Sequence, residues 1–281
     1  MRVDYLSQID KIIDSALEED LGPGDITTSA IIDSSLKGKA RLLAKEEIIL
    51  AGIEVFSRVF SRLDPEIVVE CTYHDGDVVP NGYDIGIIRG SMRGMLSGER
   101  TALNFLQHLS GIATLTKRYV EKIDPSKVRV IDTRKTTPRL RILEKYAVRM
   151  GGGFNHRFGL FDGILIKDNH IAAAGSISKA LAKIKANVPH TLKIEVEVED
   201  IKGVEEAIGA GADAILLDNM SVKEMKEAVS IARGRVLLEA SGGITLESIG
   251  EISKTGISLI SIGAITHSAR SVDISLEVIK E

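Results

Sequence analysis

Apolar residues recur along this chain with two periods, and the periods divide it into two regions. In residues 8–19, Ile9, Ile12, Ile13, Ala16 and Leu17 fall at helical spacing, and Asp20-Leu21-Gly22-Pro23-Gly24-Asp25 ends the run with turn-forming residues. Residues 40–50 and 67–72 are rich in strand formers, residues 53–63 between them form an amphipathic helix, and residues 76–94 set glycines between short apolar runs. This predicts an α+β region with a small sheet. Ser97 is placed to cap a helix whose apolar face is Ala102, Leu103, Leu106, Leu109 and Ala113, a link between the regions. From residue 128 onward short apolar runs alternate with amphipathic ones. Strands are predicted at 128–130, 163–166, 192–198, 213–217, 236–238 and 257–262, with helices between them and a terminal helix over 272–280. Six short strands separated by helices pair in parallel through right-handed crossovers, as an α/β barrel or a doubly wound sheet. Thr137 and Pro138 at the start of the first helix, Gly151 past its end, Asp200 and Ser221 as N-caps, and Gly211 fit this rhythm.

Composition narrows the function. The 281 residues are 44% apolar and 27% charged, a balance that supports one or two folded domains. No apolar run reaches the roughly 18 residues of a membrane span, and the start, Met1-Arg2-Val3-Asp4-Tyr5, lacks leader-peptide character, so a cytoplasmic protein is expected. Cys71 stands alone, and six scattered histidines show no zinc-ligand spacing. With a net charge of −4, 4% aromatic residues and no Trp, nucleic acid is not the expected partner.

Parallel α/β folds place their reacting groups at the carboxyl ends of the strands, and every predicted strand here ends in polar or glycine-rich chemistry. Asp132-Thr133-Arg134-Lys135 follows the first, Lys167-Asp168-Asn169-His170 the second, and the third carries Glu195 and Glu197. The fourth ends at Asp218-Asn219, the fifth in Glu239 and Ser241-Gly242-Gly243, and the sixth in Gly263-Ala264 with His267 a turn later. The two glycine turns either bind phosphate through bare amides at helix starts or need glycine for positive φ. From Arg134 to Leu160 eight basic residues face a single acid, Glu144. Arg139, Arg141, Lys145 and Arg149 are read as a solvated helix face, and His108 as packing or surface. Arg134, Lys135, Arg157 and Lys167, with His156 among them, can converge on a ligand bearing several carboxylates or phosphates. In residues 192–198, Lys193, Glu195 and Glu197 share the face opposite Leu192, Ile194, Val196 and Val198, so a barrel would turn the glutamates inward. Glu197 with Asp218 then suits Mg²⁺ or sugar hydroxyls.

At this point the sequence resembles the quinolinate phosphoribosyltransferases. The likeness lies in Asp132-Thr133-Arg134-Lys135-Thr136-Thr137-Pro138, Glu144-Lys145-Tyr146-Ala147, Gly151-Gly152-Gly153, Asn155-His156-Arg157 and Lys167-Asp168-Asn169-His170. Glu19 to Thr28, Gly98 to Asn104, Glu195-Val196-Glu197, Leu217-Asp218-Asn219 and Ser241-Gly242-Gly243 extend it in the same order. Arg139 and Met150 depart from the small residues expected there, and both are read as helical. The resemblance implies an incomplete parallel α/β barrel over 108–265 and an N-terminal α+β open sandwich over 1–107, joined by a C-terminal helix over 266–281. It implies a homodimer or larger, with phosphoribosyl pyrophosphate and quinolinate as substrates and Mg²⁺ as cofactor. Arg134, Lys135, His156, Arg157 and Lys167 would surround quinolinate, with Arg100 given by the neighbouring chain. Glu197 and Asp218 would hold the ribose and Mg²⁺, with Lys135 sharing in catalysis. Ser241, Gly242, Gly243, Gly263 and His267 would cradle the phosphate. The alternatives are a molybdate-transport-associated relative of the same fold and a transferase specific for nicotinate.

Overall fold

The computed structural model describes residues 6–279; the first five residues, whose leader-peptide reading was given above, and the end of the expected terminal helix lie outside them. In chain order the elements are α1 (Leu6–Leu21), α2 (Ile26–Ile31), β1 (Lys37–Ala44), β2 (Ile48–Ile49), α3 (Ile53–Leu63), β3 (Val68–Cys71), β4 (Val78–Val79), β5 (Asp84–Ser91) and α4 (Met92–Val120). There follow β6 (Arg129–Ile131), α5 (Arg141–Met150), β7 (Ile164–Ile166), α6 (Asp168–Ala174), α7 (Ile177–Asn187), β8 (Ile194–Val198), α8 (Ile201–Gly209) and β9 (Ala214–Asp218). The last are α9 (Val222–Ala232), β10 (Leu237–Ser241), α10 (Ile249–Ile252), β11 (Leu259–Ser261), α11 (Ala264–His267) and β12 (Ile274–Val278). Among the described residues no helix is long and apolar enough to cross a membrane.

The chain divides into two compact units. The first comprises the described part of Met1–Lys117, Thr137–Gly152 and the described part of Ser268–Glu281; the second comprises Arg118–Thr136 and Gly153–His267. The division falls after Lys117, inside α4, and the segment carrying α5 is grouped with the first unit.

In the first unit an antiparallel sheet runs β12-β1-β5-β3, with a small β2-β4 ribbon. Ile9, Ile13 and Leu17 of α1 and Val55, Phe56, Val59 and Phe60 of α3 are all buried, and the rings of Phe56 and Phe60 meet edge to face at 5.1 Å. Arg58–Asp10 and Arg62–Asp14 ion pairs, both 2.7 Å, lace the two helices together. The expected C-terminal helix is instead strand β12. Ile274, Leu276 and Val278 alternate with Ser275 and Glu277, a period of two that suits a strand, and five residues make a poor helix but fill the free edge of β1. Its register sets Ala40 opposite Val278 and Ala44 opposite Ile274, and Glu277 reaches both Arg41 and Lys45 at 2.7 Å. The Gln107 side chain donates to the Ile274 carbonyl at 2.8 Å, and a Cβ on Gly111 would stand 2.1 Å from the Arg270 carbonyl oxygen, so α4 needs glycine where the returning chain crosses it.

Three further expectations are corrected here. Ser97 lies within α4, which starts at Met92, and its hydroxyl donates to Asp25, the residue that caps α2. The helix expected from Pro138 starts at Arg141 with Leu140 at its cap, so Arg139 stands outside it, exposed and at φ +68°. A left-handed position explains why a small residue was expected there. Nor is the basic helix face wholly solvated: Lys145 is buried, and the fully buried Glu144 takes His108 Nε2 at 2.9 Å and the Thr137 amide at 3.1 Å. His108 thus has a specific acidic partner.

The second unit holds six parallel strands in the order β6-β11-β10-β9-β8-β7. The terminal strands β6 and β7 do not pair, yet Arg129 and Ile131 of one and Ile164 of the other line the same cavity, so the sheet is curled into an open barrel. The outer edge of β6 is covered by Phe154, whose amide donates to the Val130 carbonyl and whose carbonyl accepts from the Asp132 amide. On β8 the expected alternation holds: Ile194, Val196 and Val198 are buried, and Glu195 and Glu197 face the barrel interior. Asp200 and Ser221 cap α8 and α9 as the pattern predicted, Ser221 in a capping box with Glu224. Helix α6, directly after Lys167, had no apolar periodicity to reveal it.

Candidate active site

A cavity of about 390 Å³ opens at the carboxyl ends of the second unit's strands. All six strands reach it: Thr133, Arg134 and Lys135 beyond β6, Lys167 beyond β7, Glu197 of β8, Asp218 of β9, Ser241 of β10 and Ser261 of β11, with His156 and Arg157 from the β6–β7 connection. The cavity thus brings together Arg134, Lys135, His156, Arg157, Lys167, Glu197, Asp218 and Ser241.

The local chain explains how the cations are held. Asp132, fully buried, accepts the Asn155 side-chain amide at 2.6 Å and the His156 backbone amide at 2.9 Å, which pins the 155–157 segment to the top of β6. No pattern in the sequence singled Asp132 out for this role. The Lys135 amide donates to Thr133 Oγ1, and Thr266 Oγ1 donates to the Lys135 carbonyl at 2.8 Å. Arg157 Nη1 donates to the Gly163 carbonyl at 2.9 Å, and the loop beyond it is folded on Asp162, which accepts the amides of Phe158 and Gly159. Burial, and then the nearby guanidinium of Arg134, hold Arg157 below the usual arginine range. Two adjacent guanidiniums in a half-buried cavity call for a ligand with negative charge. Lys167 stands across the mouth, 2.8 Å from Glu197.

Beneath the mouth lies an acidic floor. His156 Nδ1 accepts the Arg157 amide at 2.7 Å, so Nε2 carries the ring hydrogen and donates to Glu195 Oε2 at 3.0 Å. Glu239 is 1% exposed and its Oε2 lies 3.8 Å from the same Nε2, while its Oε1 has no hydrogen-bond partner. Burial, and then the charge of Glu195, push the Glu239 carboxyl well above the usual carboxylate range. Period-two alternation along β10 was the available signal for Glu239, since it points inward with Ser241.

The glycine turns differ from expectation. Ser241-Gly242-Gly243 does not open a helix, because α10 begins only at Ile249 and has four residues. What remains is loop backbone at positive φ, +95° at Gly242 and +60° at Gly243, and a Cβ on Gly242 would strike the Asn219 side chain at 2.2 Å. Asn219, itself at φ +54°, donates its amide to the Ser241 carbonyl and its side chain to Asp218 Oδ2, so the ends of β9 and β10 are tied together. A Cβ on Gly263 would sit 3.1 Å from both Lys135 Cδ and the His267 ring, which puts those two residues beside one bare backbone position. Arg100 is exposed on α4, in the first unit.

Glu197 and Asp218 come from adjacent strands, offer only carboxylate oxygens and open to the mouth. That donor set fits Mg²⁺, which takes one or two carboxylates and keeps much of its water. His156, Glu195 and Glu239 also bring one ligand atom each within 4.8 Å of the others.

Comparison with known proteins agrees with this geometry. The profile described as quinolinate phosphoribosyl transferase, C-terminal domain, matches residues 112–277, and that of the N-terminal domain matches residues 25–110. The chain is 45% identical over 271 residues to a probable nicotinate-nucleotide pyrophosphorylase [carboxylating] of Bacillus subtilis (strain 168), covering 96% of this chain and 93% of that protein. Among solved structures it is similar to NadC from Streptococcus pyogenes, with TM-score 0.93 and 46% identity over 97% and 98% of the two chains. The nicotinate-nucleotide pyrophosphorylase from Francisella tularensis superposes with TM-score 0.92 at 44% identity, over 97% and 96%. Neither the transport-associated nor the nicotinate-specific alternative is favoured by these relatives. With both profiles matched in order and a barrel mouth lined by the residues that carried the resemblance, the chain belongs to the quinolinate phosphoribosyltransferase family.

Proposed function

We propose that this chain joins the ring nitrogen of quinolinate to C1 of phosphoribosyl pyrophosphate, releasing pyrophosphate and carbon dioxide and leaving nicotinate mononucleotide. The observation that carries the reading is the neighbouring pair Arg134 and Arg157, set in a cavity whose opposite arc bears Glu197 and Asp218. A dicarboxylate satisfies the cations and a ribose the carboxylates, so one mouth accepts both substrates side by side.

The transfer needs little proton movement, because the pyridine nitrogen already carries a lone pair. The barrier lies in positive charge growing on the ribose carbon and negative charge on the departing pyrophosphate. Glu197 and Asp218 stabilise the first. Lys135, held by Thr133 and Thr266 next to Gly263 and His267, stabilises the second. When bound through Glu197 and Asp218, Mg²⁺ supplies charge neutralisation on the pyrophosphate. Ser241, Gly242, Gly243, Gly263 and His267 hold the phosphate through loop amides and side chains rather than through a helix dipole. Arg134, Arg157 and Lys167 orient the ring and exclude water from its carboxylates, and His156 lines the same wall of the cavity. The pyridinium formed by transfer is the electron sink for loss of carbon dioxide: the C2–carboxylate bond breaks, its electron pair stays on C2 beside the cationic nitrogen, and a proton from solvent then completes nicotinate mononucleotide. We place the reaction in a cytoplasmic homodimer or larger assembly, with the exposed Arg100 completing a neighbour's mouth.

The test is release of carbon dioxide from quinolinate in the presence of phosphoribosyl pyrophosphate and Mg²⁺. Turnover strictly dependent on both substrates supports the reading. Comparable turnover of nicotinate, which has one carboxylate fewer, would overturn the assignment of the cation pair to a dicarboxylate.

A further inference from the structure

A buried carboxyl forms part of the floor of the second unit's cavity. Glu239 is 1% exposed, one of its oxygens has no partner, and a carboxylate oxygen of Glu195 lies within 4.8 Å of its carboxyl. Two ionised carboxylates buried side by side repel strongly, and the histidine between them is engaged as a neutral ring: Nδ1 by the Arg157 amide, Nε2 by Glu195. One hydrogen shared between the two acids removes the repulsion. On one side the charged groups facing this floor are Arg129 from β6, Lys193 just ahead of β8 and Arg157 from the β6–β7 connection; on the mouth side Arg134, Lys135, Lys167, Glu197 and Asp218 line the same cavity as Glu239, and Ser261 of β11 lies against it.

We propose that Glu239 is a positioning residue for the quinolinate half of the site: as a neutral acid it donates to Glu195, keeps Glu195 as the fixed acceptor of His156 Nε2–H, and so locks the imidazole tautomer that holds the Arg157 backbone. An ionised Glu239, whose Oε2 is 3.8 Å from that nitrogen, would compete for the same hydrogen and turn the ring. His156 then serves less as a contact to a substrate carboxylate than as the strut between the floor and Arg157, because both of its nitrogens are engaged within the protein. The inference rests on the reading that Arg157 binds quinolinate.

The test compares Glu239→Leu, which fills the space without a donor, with Glu239→Gln, whose amide donates as the acid would. Quinolinate and phosphoribosyl pyrophosphate affinities are measured by calorimetry on each variant and on wild type. Glu239→Leu is expected to weaken quinolinate binding about tenfold or more, the scale of a lost hydrogen bond to a buried partner, with pyrophosphate-substrate affinity kept within about twofold; Glu239→Gln is expected to rescue quinolinate binding. A merely structural residue would move both substrates together, and that result overturns the proposal. So does a Glu239→Gln variant as impaired as Glu239→Leu, since the group would then act as a carboxylate, for example toward a cation held with His156 and Glu195. Nitrogen NMR of the imidazole gives a check that does not depend on the leucine variant folding: His156 as the Nε2–H tautomer in wild type and Glu239→Gln supports the proposal, and the Nδ1–H tautomer overturns it. If wild type itself fails to bind quinolinate, the parent reading falls; if wild type binds and only the rescue fails, this inference falls alone.

Discussion

Replacing Arg157 by alanine separates ligand binding from stability more sharply than any other change at the mouth. In the free protein this guanidinium is half-buried, has Arg134 as a like-charged neighbour, and gives one hydrogen bond to the Gly163 carbonyl. Burial and that neighbour both disfavour its charge, so the native fold gains little from it, and the loss of one bond to a neutral carbonyl is offset by relief of the repulsion. The expected stability change is within about 1 kcal/mol, a shift in Tm of no more than about 4 °C. Binding behaves differently. A carboxylate meeting Arg157 forms a charge-assisted bond of about 1.5–3 kcal/mol, and at 1.36 kcal/mol per decade its loss weakens quinolinate affinity about 10- to 150-fold. Affinity for phosphoribosyl pyrophosphate, held by Glu197, Asp218 and the glycine loops on the other arc, should change less than about threefold at that scale of interaction. Calorimetric titration of both substrates, with a thermal melt of the same sample, reads all three quantities. Unchanged quinolinate affinity would refute the reasoning, as would equal losses for the two substrates.

Asp218→Asn keeps the shape at the end of β9 and removes the charge; single-turnover product formation at saturating Mg²⁺ should fall about 100-fold or more while quinolinate binding is largely kept, and turnover at the wild-type rate would show that the carboxylate stabilises no charge there. Arg139→Gly relieves a left-handed residue at φ +68° that costs about 1–2 kcal/mol, partly offset by the unfolded-state entropy of glycine, so denaturant unfolding should show a net gain of about 0.5–1 kcal/mol, whereas a loss would mean the arginine side chain contributes what its backbone costs. Hydrogen bonds from Lys45, then Arg41, then Ser275 hold Glu277 at about 2 against an ordinary value of 4.5. Since the folded value is the lower one, this contribution is complete above pH 4.5 and is lost as pH falls toward 2. Hydrogen exchange of β1 and β12 should therefore accelerate across that window in wild type and less so in Glu277→Gln, and identical pH profiles would dismiss the link.

What the sequence by itself determined is local. The period-two run of β8 turned Glu195 and Glu197 inward, because side chains on a strand alternate whatever lies beyond it, and the same logic holds for the polar group that ends each parallel strand. The motif from Asp132 to Arg157 and the signature at Ser241-Gly242-Gly243 were legible for the same reason: their chemistry is carried by residue types at short spacing. Tertiary structure decided whatever depends on partners far along the chain. Residues 274–278 are too few for their pattern to exclude a helical turn, and only the open edge of β1, more than two hundred residues away, makes them a strand. Lys145 carries charge that reads as solvated on a helix, until the packing of the first unit buries it, and the Glu144 next to it is buried against His108. The floor of His156, Glu195 and Glu239 draws on three separate segments, and its hydrogen bonds follow from the curl of the sheet, which closes distances that no periodicity in the sequence records.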